Sequence, residues 1–172
     1  MSTAEICVRG ELPEDANCLE KLTEIVFGPG MRARAAYFLR EGVDHEMALS
    51  FVAEQSGTIV GTVRLTKVDW GGTVVLMLGP LAVLPELKGR GIGRALMQQA
   101  VDAATQLSNG AGAPAIILVG DLDYYSRFGF KRISPDRISL PRPADPMRVL
   151  CCELVTGAAD KLSGAINRFQ SV

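Results

Sequence analysis

The segment Leu81-Ala82-Val83-Leu84-Pro85-Glu86-Leu87-Lys88-Gly89-Arg90-Gly91-Ile92-Gly93-Arg94-Ala95-Leu96 constrains this chain more than any other stretch. It runs from an apolar strand through a glycine-rich basic turn into the start of a helix. Glycines in such a turn let backbone N–H groups approach an anion closely, and the unpaired donors at a helix N-terminus add favourable dipole charge. Lys88, Arg90 and Arg94 point the same way, because cations at a helix N-terminus are unfavourable unless an anion compensates them. The segment predicts a crossover that cradles a phosphate.

Spacing separates this cradle from two nucleotide-binding patterns. A P-loop needs Gly-Lys-Ser/Thr at its end, whereas Gly93 is followed by Arg94-Ala95. A dinucleotide fingerprint needs its third glycine one position later than Gly93, and an acidic residue roughly 20 positions on. That region is Ser108-Asn109-Gly110, which reads as a loop. Magnesium-nucleotide hydrolysis and nicotinamide or flavin chemistry are both disfavoured.

Lys88-Gly89-Arg90-Gly91-Ile92-Gly93 meets the pattern Gln/Arg/Lys-x-x-Gly-x-Gly/Ala behind a hydrophobic strand, and Tyr124-Tyr125-Ser126-Arg127-Phe128-Gly129-Phe130 follows downstream with a Tyr-x-x-x-Gly-Phe ending. Together these resemble the GNAT superfamily of acyl-CoA-dependent N-acyltransferases, in the form seen in small bacterial acetyltransferases. The resemblance spans roughly residues 5–155, specific in the two motifs and general elsewhere. It implies one α/β (α+β) domain with a mixed, mostly antiparallel sheet flanked by helices. The central fourth and fifth strands splay apart, and the pantetheine arm lies in the gap like an added strand.

The same resemblance implies acetyl-CoA as cosubstrate, no metal, and an amine acceptor that is either a small molecule or a protein. An unprotonated primary amine attacks the thioester carbonyl, so an amide N–H must steady the oxyanion and an acid must protonate the departing sulfur. Backbone donors at Leu81, Ala82 and Val83 match the family's oxyanion and pantetheine contacts. Lys88, Gly89, Arg90, Gly91, Ile92, Gly93 and Arg94 match its pyrophosphate turn. Tyr125, four residues before Gly129, aligns with the general acid. Ordinary phenol and thiol pKa values make that proton transfer uphill by roughly 2 kcal/mol. Where many members carry an asparagine, seven residues before the tyrosine, this chain has Leu118, and Asp121 or Gly120 is the substitute contact. Arg127 reads as a surface charge or, as the alternative, a phosphate contact. For a general base, Glu54, Asp121, Asp123 and His45 stay open, as does relay by water. The alternative to an enzyme is a non-catalytic acyl-CoA binding or regulatory module.

Composition sets the outer limits. At 172 residues the chain suits one domain, 1–172, able to bury roughly 70% of its unfolded surface. A formal charge of −1 supplies no basic field for nucleic acid. Apolar runs such as Val74–Leu78 and Ile116–Val119 are far shorter than the roughly 20 residues of a membrane helix, so no membrane partner is expected. Met1-Ser2-Thr3-Ala4-Glu5 lacks the basic and apolar regions of a signal peptide, which points to the cytoplasm. Cys7, Cys18, Cys151 and Cys152 lack Cys-x-x-Cys spacing and read as reduced thiols. His45, the single histidine, rules out a His-rich metal site. Homodimers are common in the family and complete the expected partners.

Along the chain, Ile6–Arg9 reads as a first strand and Pro13–Val26 as an amphipathic helix stopped by Gly28-Pro29-Gly30. A second helix with a loop is expected over 31–45. Leu49–Glu54 and Thr58–Thr66 read as a hairpin, and Thr73–Val83 as a long strand interrupted at Gly79-Pro80 by a bulge or an opening of the sheet. From Ile92 to Leu107 a helix buries Ile92, Leu96, Ala100, Ala103 and Leu107 and ends at Ser108-Asn109-Gly110. Ala115–Val119 reads as a buried strand, Leu122–Phe128 as a short helix, Phe130–Ile133 as the start of a strand and Met147–Val155 as another. The proline-rich stretch 135–146 is expected to be irregular, and 157–172 a short helix or tail.

Overall fold

A computed structural model describes residues 5–108 and 112–171. Asn109 and Gly110, expected to end the long helix, lie outside the described residues, as do Met1–Ala4 of the expected leaderless start and Val172. β1 (Ile6–Gly10), β2 (Phe51–Gln55), β3 (Thr58–Trp70) and β4 (Thr73–Val83) pair in order as antiparallel neighbours. Two-residue turns set the registers. Ser56 and Gly57 have φ of 51° and 75°, and Gly71 and Gly72 have 59° and 90°, the left-handed pair that matches the twist of a tight hairpin.

α3 (Ile92–Ser108) carries the chain across to β5 (Ala115–Val119), which runs parallel to β4. β8 (Val149–Glu153) then pairs antiparallel with β5, and β6 (Lys131–Arg132) pairs with β8. The sheet is thus mixed and mostly antiparallel, with helices on both faces. Where β2 ends, β9 (Gly164–Arg168) takes its place beside β3, and it pairs with β7 (Ile138–Ser139).

On one face α3 buries Ile92, Leu96, Met97 and Ala100 against Val63, Leu65, Leu76, Ile116 and Leu118. On the other, Trp70, Val75, Met77, Ile117 and Ile166 pack with Leu39 of α2 (Ala35–Arg40). Leu19 and Leu22 of α1 (Ala16–Phe27) cover Val52 and Ala82. Gly61 fixes how closely α3 approaches. A Cβ there would stand 3.0 Å from Leu96 Cδ1 and 3.2 Å from Ile92 Cγ2, so the glycine lets the N-terminal turn of α3 settle onto β3.

Two features open the sheet at its centre. Leu78 pairs with Leu65 but Leu81 with Val63, so β4 spends one more residue than β3 at Gly79-Pro80 and bulges, as expected for a proline in a central strand. The pairing of β4 with β5 is confined to Leu76↔Ile116 and Met77↔Ile117, after which the strands part.

Three expectations are corrected. Against the expected short helix or tail over 157–172, the described residues 157–171 form a 3-10 turn at Ala159–Lys161 and then β9. The stretch 135–146 contains β7 and a 3-10 turn at Pro135–Arg137. On α3 the buried stripe passes through Ala104, 1% exposed, while Leu107, in the last turn of the helix, is 52% exposed. A period of 3.6 residues keeps Leu107 on the face of Leu96 and Ala100, so its exposure comes from its place at the helix end and not from its phase. No helix among the described residues is long and apolar enough to cross a membrane.

Candidate functional site

After β4, Pro85–Leu87 makes one 3-10 turn and Lys88-Gly89-Arg90-Gly91 leads into α3. Gly89 and Gly91 have φ of 80° and 81°, a left-handed conformation that glycine adopts without strain. Both are exposed, and a Cβ on either would meet nothing within 4 Å. Leu87 and Lys88 still donate to Leu84 and Pro85, and Ala95 donates to Gly91 O at 3.0 Å. Between them, the N–H groups of Gly89, Arg90, Gly91, Ile92, Gly93 and Arg94 have no hydrogen-bond acceptor among the described residues. Lys88, Arg90 and Arg94 are exposed and make no ion pair among those residues. This is a run of open donors ringed by unpaired positive charge, the arrangement that fits a diphosphate.

β4 contributes further donors. Leu84 N–H reaches Val60 O on β3 at 2.9 Å. Successive residues of an antiparallel strand send their N–H groups to opposite edges, so Ala82 also faces β3. Leu81 and Val83 therefore turn theirs toward the edge that β5 has left. The Ala82 side chain, 1% exposed, is packed under α1.

Tyr124 and Tyr125 lie on α4 (Leu122–Tyr125), on the far side of this opening. The short helix continues as a 3-10 turn over Ser126–Phe128 and stops at Gly129, whose φ is 89°. Tyr125 stands edge-on to Tyr124, with centroids 4.9 Å apart, and to Phe130 at 6.0 Å. Its ring lies on Gly120, where a methyl group would overlap it. Burial, helped by Tyr124 and Asp121, pushes the Tyr125 phenol up to about 12. Tyr124 leans the other way, toward Gly93, and burial raises its phenol too. Arg127 caps the Tyr124 ring at 5.2 Å and is otherwise a surface charge, as expected.

Where β4 and β5 part there is a cleft of about 530 Å³, walled by Gly79, Pro80 and Leu81 on one side and by Leu118, Gly120 and Tyr125 on the other. A second cavity of about 820 Å³ lies over the α1 and α2 face, with Glu20, Glu24, His45 and Arg64 on its walls. The two meet at Met31, Tyr37, Arg40, Gly79 and Pro80.

The open candidates for a base are placed unequally. Glu54 is held by Arg9 at 2.6 Å and lines neither cavity. Asp121 lines the cleft but is paired with Arg148 at 3.2 Å. His45 lines the larger cavity and contacts Glu11 Oε1 at 3.0 Å. Asp123 is exposed and lines neither. Leu118 is 2% exposed, so its place in the cleft wall is apolar. Sequence reasoning passed over Arg40, Arg148 and the Tyr124 contact with Gly93. A lone arginine in a helix or loop reads as solvated charge until the fold shows what it faces.

Comparison with known proteins bears on the family and the fold. The family model described as Acetyltransferase (GNAT) domain matches residues 46–132. The uncharacterized N-acetyltransferase YhbS of Escherichia coli is 32% identical over 127 residues, 72% of each chain. The uncharacterized N-acetyltransferase CT2212 of Chlorobaculum tepidum is 27% identical and spans 90% of this chain and 96% of its own. Among solved structures, Escherichia coli YhbS in complex with CoA superposes with a TM-score of 0.79 at 25% identity, covering 98% of this chain and 92% of that one. A GNAT family acetyltransferase from Brucella melitensis in complex with acetyl-CoA gives 0.61 at 33% identity, with 87% and 88% covered.

Proposed function

The chain belongs to the GNAT family of N-acetyltransferases, and from that premise we propose that it moves an acetyl group from acetyl-CoA to a primary amine, with Tyr125 as general acid. The observation that carries this reading is convergence. Leu81 of β4 and the Tyr125 ring line one cleft where β4 and β5 part, and Gly93 of the open-amide run lies against Tyr124, which lines the same cleft.

Acetyl-CoA supplies an activated acyl group as a thioester. Gly89, Arg90, Gly91, Ile92, Gly93 and Arg94 would hold its diphosphate through main-chain N–H groups, with the Lys88, Arg90 and Arg94 side chains adding charge. The Leu81 and Val83 N–H groups would serve the pantetheine arm and the developing oxyanion. As the amine nitrogen bonds to the carbonyl carbon and the C–S bond breaks, the Tyr125 phenol gives its proton to sulfur. The amine's surplus proton passes to water.

A phenol raised to about 12 is a weak acid, but the same apolar setting raises a thiol. Cys151 illustrates the size of that effect in this fold, where burial, with Cys152 and Glu153 nearby, pushes the thiol up to about 12. Donor and acceptor therefore shift in the same direction, which keeps the transfer mildly uphill as for the unshifted pair. The free thiols of Cys7, Cys18, Cys151 and Cys152 go with a reducing, cytoplasmic setting.

Thiol release from acetyl-CoA across a panel of amines tests the proposal. Wild-type protein should turn over with some members. Tyr125→Phe should lose on the order of 10²-fold in kcat while keeping its CoA affinity within about twofold. Tight CoA binding with no thiol release on any amine would instead establish a non-catalytic binding module.

A further inference from the structure

Arg40 ends α2 with its guanidinium over Gly79, so close that a Cβ on that glycine would collide with Nη1. It stands where the cleft and the larger cavity join and lines both. Three other arginines of this region are paired, whereas Arg32 and Arg34 on the cavity walls are exposed. Arg64 holds Glu11 at 2.6 Å, Arg148 holds Asp121 at 3.2 Å and Arg168 holds Glu41 at 3.0 Å. The Arg40 guanidinium has neither an ion pair nor a hydrogen bond among the described residues. Burial lowers its pKa to about 10, and the positive charge of Arg64 acts in the same direction.

A half-buried guanidinium with no partner among the described residues, facing a cavity beside a second cation, is a ready place for an anion. The carboxylates on the cavity walls do not fill that role. Glu20 and Glu24 are exposed on α1, Glu41 is taken by Arg168, Asp121 is paired with Arg148, and Asp145 is exposed and accepts from the Met147 N–H, while Glu11 behind the wall is shared between Arg64 and His45. The planar fork of an arginine suits a carboxylate or phosphate held by two parallel hydrogen bonds. Gly79 is two residues from Leu81, across the bulge in β4, and both line the cleft.

We infer that the acceptor amine carries an acidic group within a few bonds of its nitrogen, a carboxylate or a phosphate, and that Arg40 receives it. This rests on the transferase reading above and narrows its substrate class. The exposed Glu20 and Glu24 on the cavity wall would draw in the ammonium end of such a molecule before it loses its proton.

The experiment pairs amines that differ in the acid alone: amino acids against their amides, and aminoalkyl phosphates against the matching amino alcohols. Two quantities are read, calorimetric binding to the CoA-saturated protein and kcat/KM for thiol release. The acidic member should win by at least about tenfold in both, and whichever acid prevails identifies the group. Arg40→Met should erase the preference chiefly through KM, and Arg40→Lys should keep part of it, with CoA affinity as the control for folding. Should Arg40→Met fail to fold, the wild-type preference and the Arg40→Lys variant decide.

Equal turnover of acidic and neutral amines overturns this inference and leaves the transferase standing. Acid-dependent binding without turnover on any amine supports the Arg40 site and removes the transferase. Absence of any acid preference in binding and turnover alike also overturns the inference.

Discussion

The Tyr124 hydroxyl sits against Gly93 in the first turn of α3, where a Cβ would stand only 3.0 Å from the phenol oxygen. This contact ties the anion cradle to the aromatic pair carrying Tyr125, since the two tyrosine rings meet edge-on at 4.9 Å. Gly93→Ala must therefore move either the turn or Tyr124. The expected result is about tenfold weaker CoA binding, roughly 1.4 kcal/mol, together with a lower kcat. Calorimetry and steady-state kinetics on the one variant check both, and an unchanged affinity would show that the cradle and the tyrosines are mechanically separate.

Arg90 is exposed and unpaired among the described residues. Arg90→Glu should leave the melting temperature within a degree or two, weaken CoA about tenfold and flatten the dependence of CoA affinity on salt. Titrations at two ionic strengths measure this. Equal affinity in wild type and variant would take Arg90 out of the site.

With the Tyr125 phenol raised to about 12 by burial, the acid stays protonated across the range in which the protein can be assayed. Turnover should climb with pH as the acceptor amine loses its proton, and should show no descending limb below about pH 10. A fall centred near pH 8 or 9 would mean that another group donates the proton.

Glu11 is buried, 6% exposed, beneath the larger cavity. Burial works against its charge, but hydrogen bonds from His45 and Arg64 outweigh that and hold the carboxyl below its usual range. Asp15 is lowered as well, first by its hydrogen bond from Arg9. For a carboxylate whose folded pKa is depressed, the stabilisation is complete above the unfolded value, near 4, and is lost as pH falls through the folded one. Thermal melts should hold steady from about pH 5.5 to 7 and drop below about pH 4. Glu11→Gln should destabilise the protein near neutrality and shrink the acid-side slope, and an unaltered slope would place the acid sensitivity elsewhere.

The cradle and the interrupted strand were legible because each depends on residues with few alternative uses. Gly89 and Gly91 take positive φ, and a proline in a central strand forces an irregularity, here the extra residue of β4. The long apolar runs likewise declared β4, β5 and β8. β9 was hidden because of its residues only Ile166 is buried, and its pairing with β3 depends on β2 ending early. Arg40 was hidden for a different reason. Nothing in Ala35-Ala36-Tyr37-Phe38-Leu39-Arg40 announces that the last side chain will lie on a glycine from a strand some forty residues away.

The bulge at Gly79-Pro80 carries a lesson for mutagenesis. Past it β4 stays paired with β3 while β5 has already parted, which leaves one edge of peptide groups open, and the atoms offered there belong to no side chain. An alanine scan through Leu81 and Val83 would pass over those atoms in silence. Only a change in the main chain itself, such as an ester in place of the amide at either position, would report what they hold.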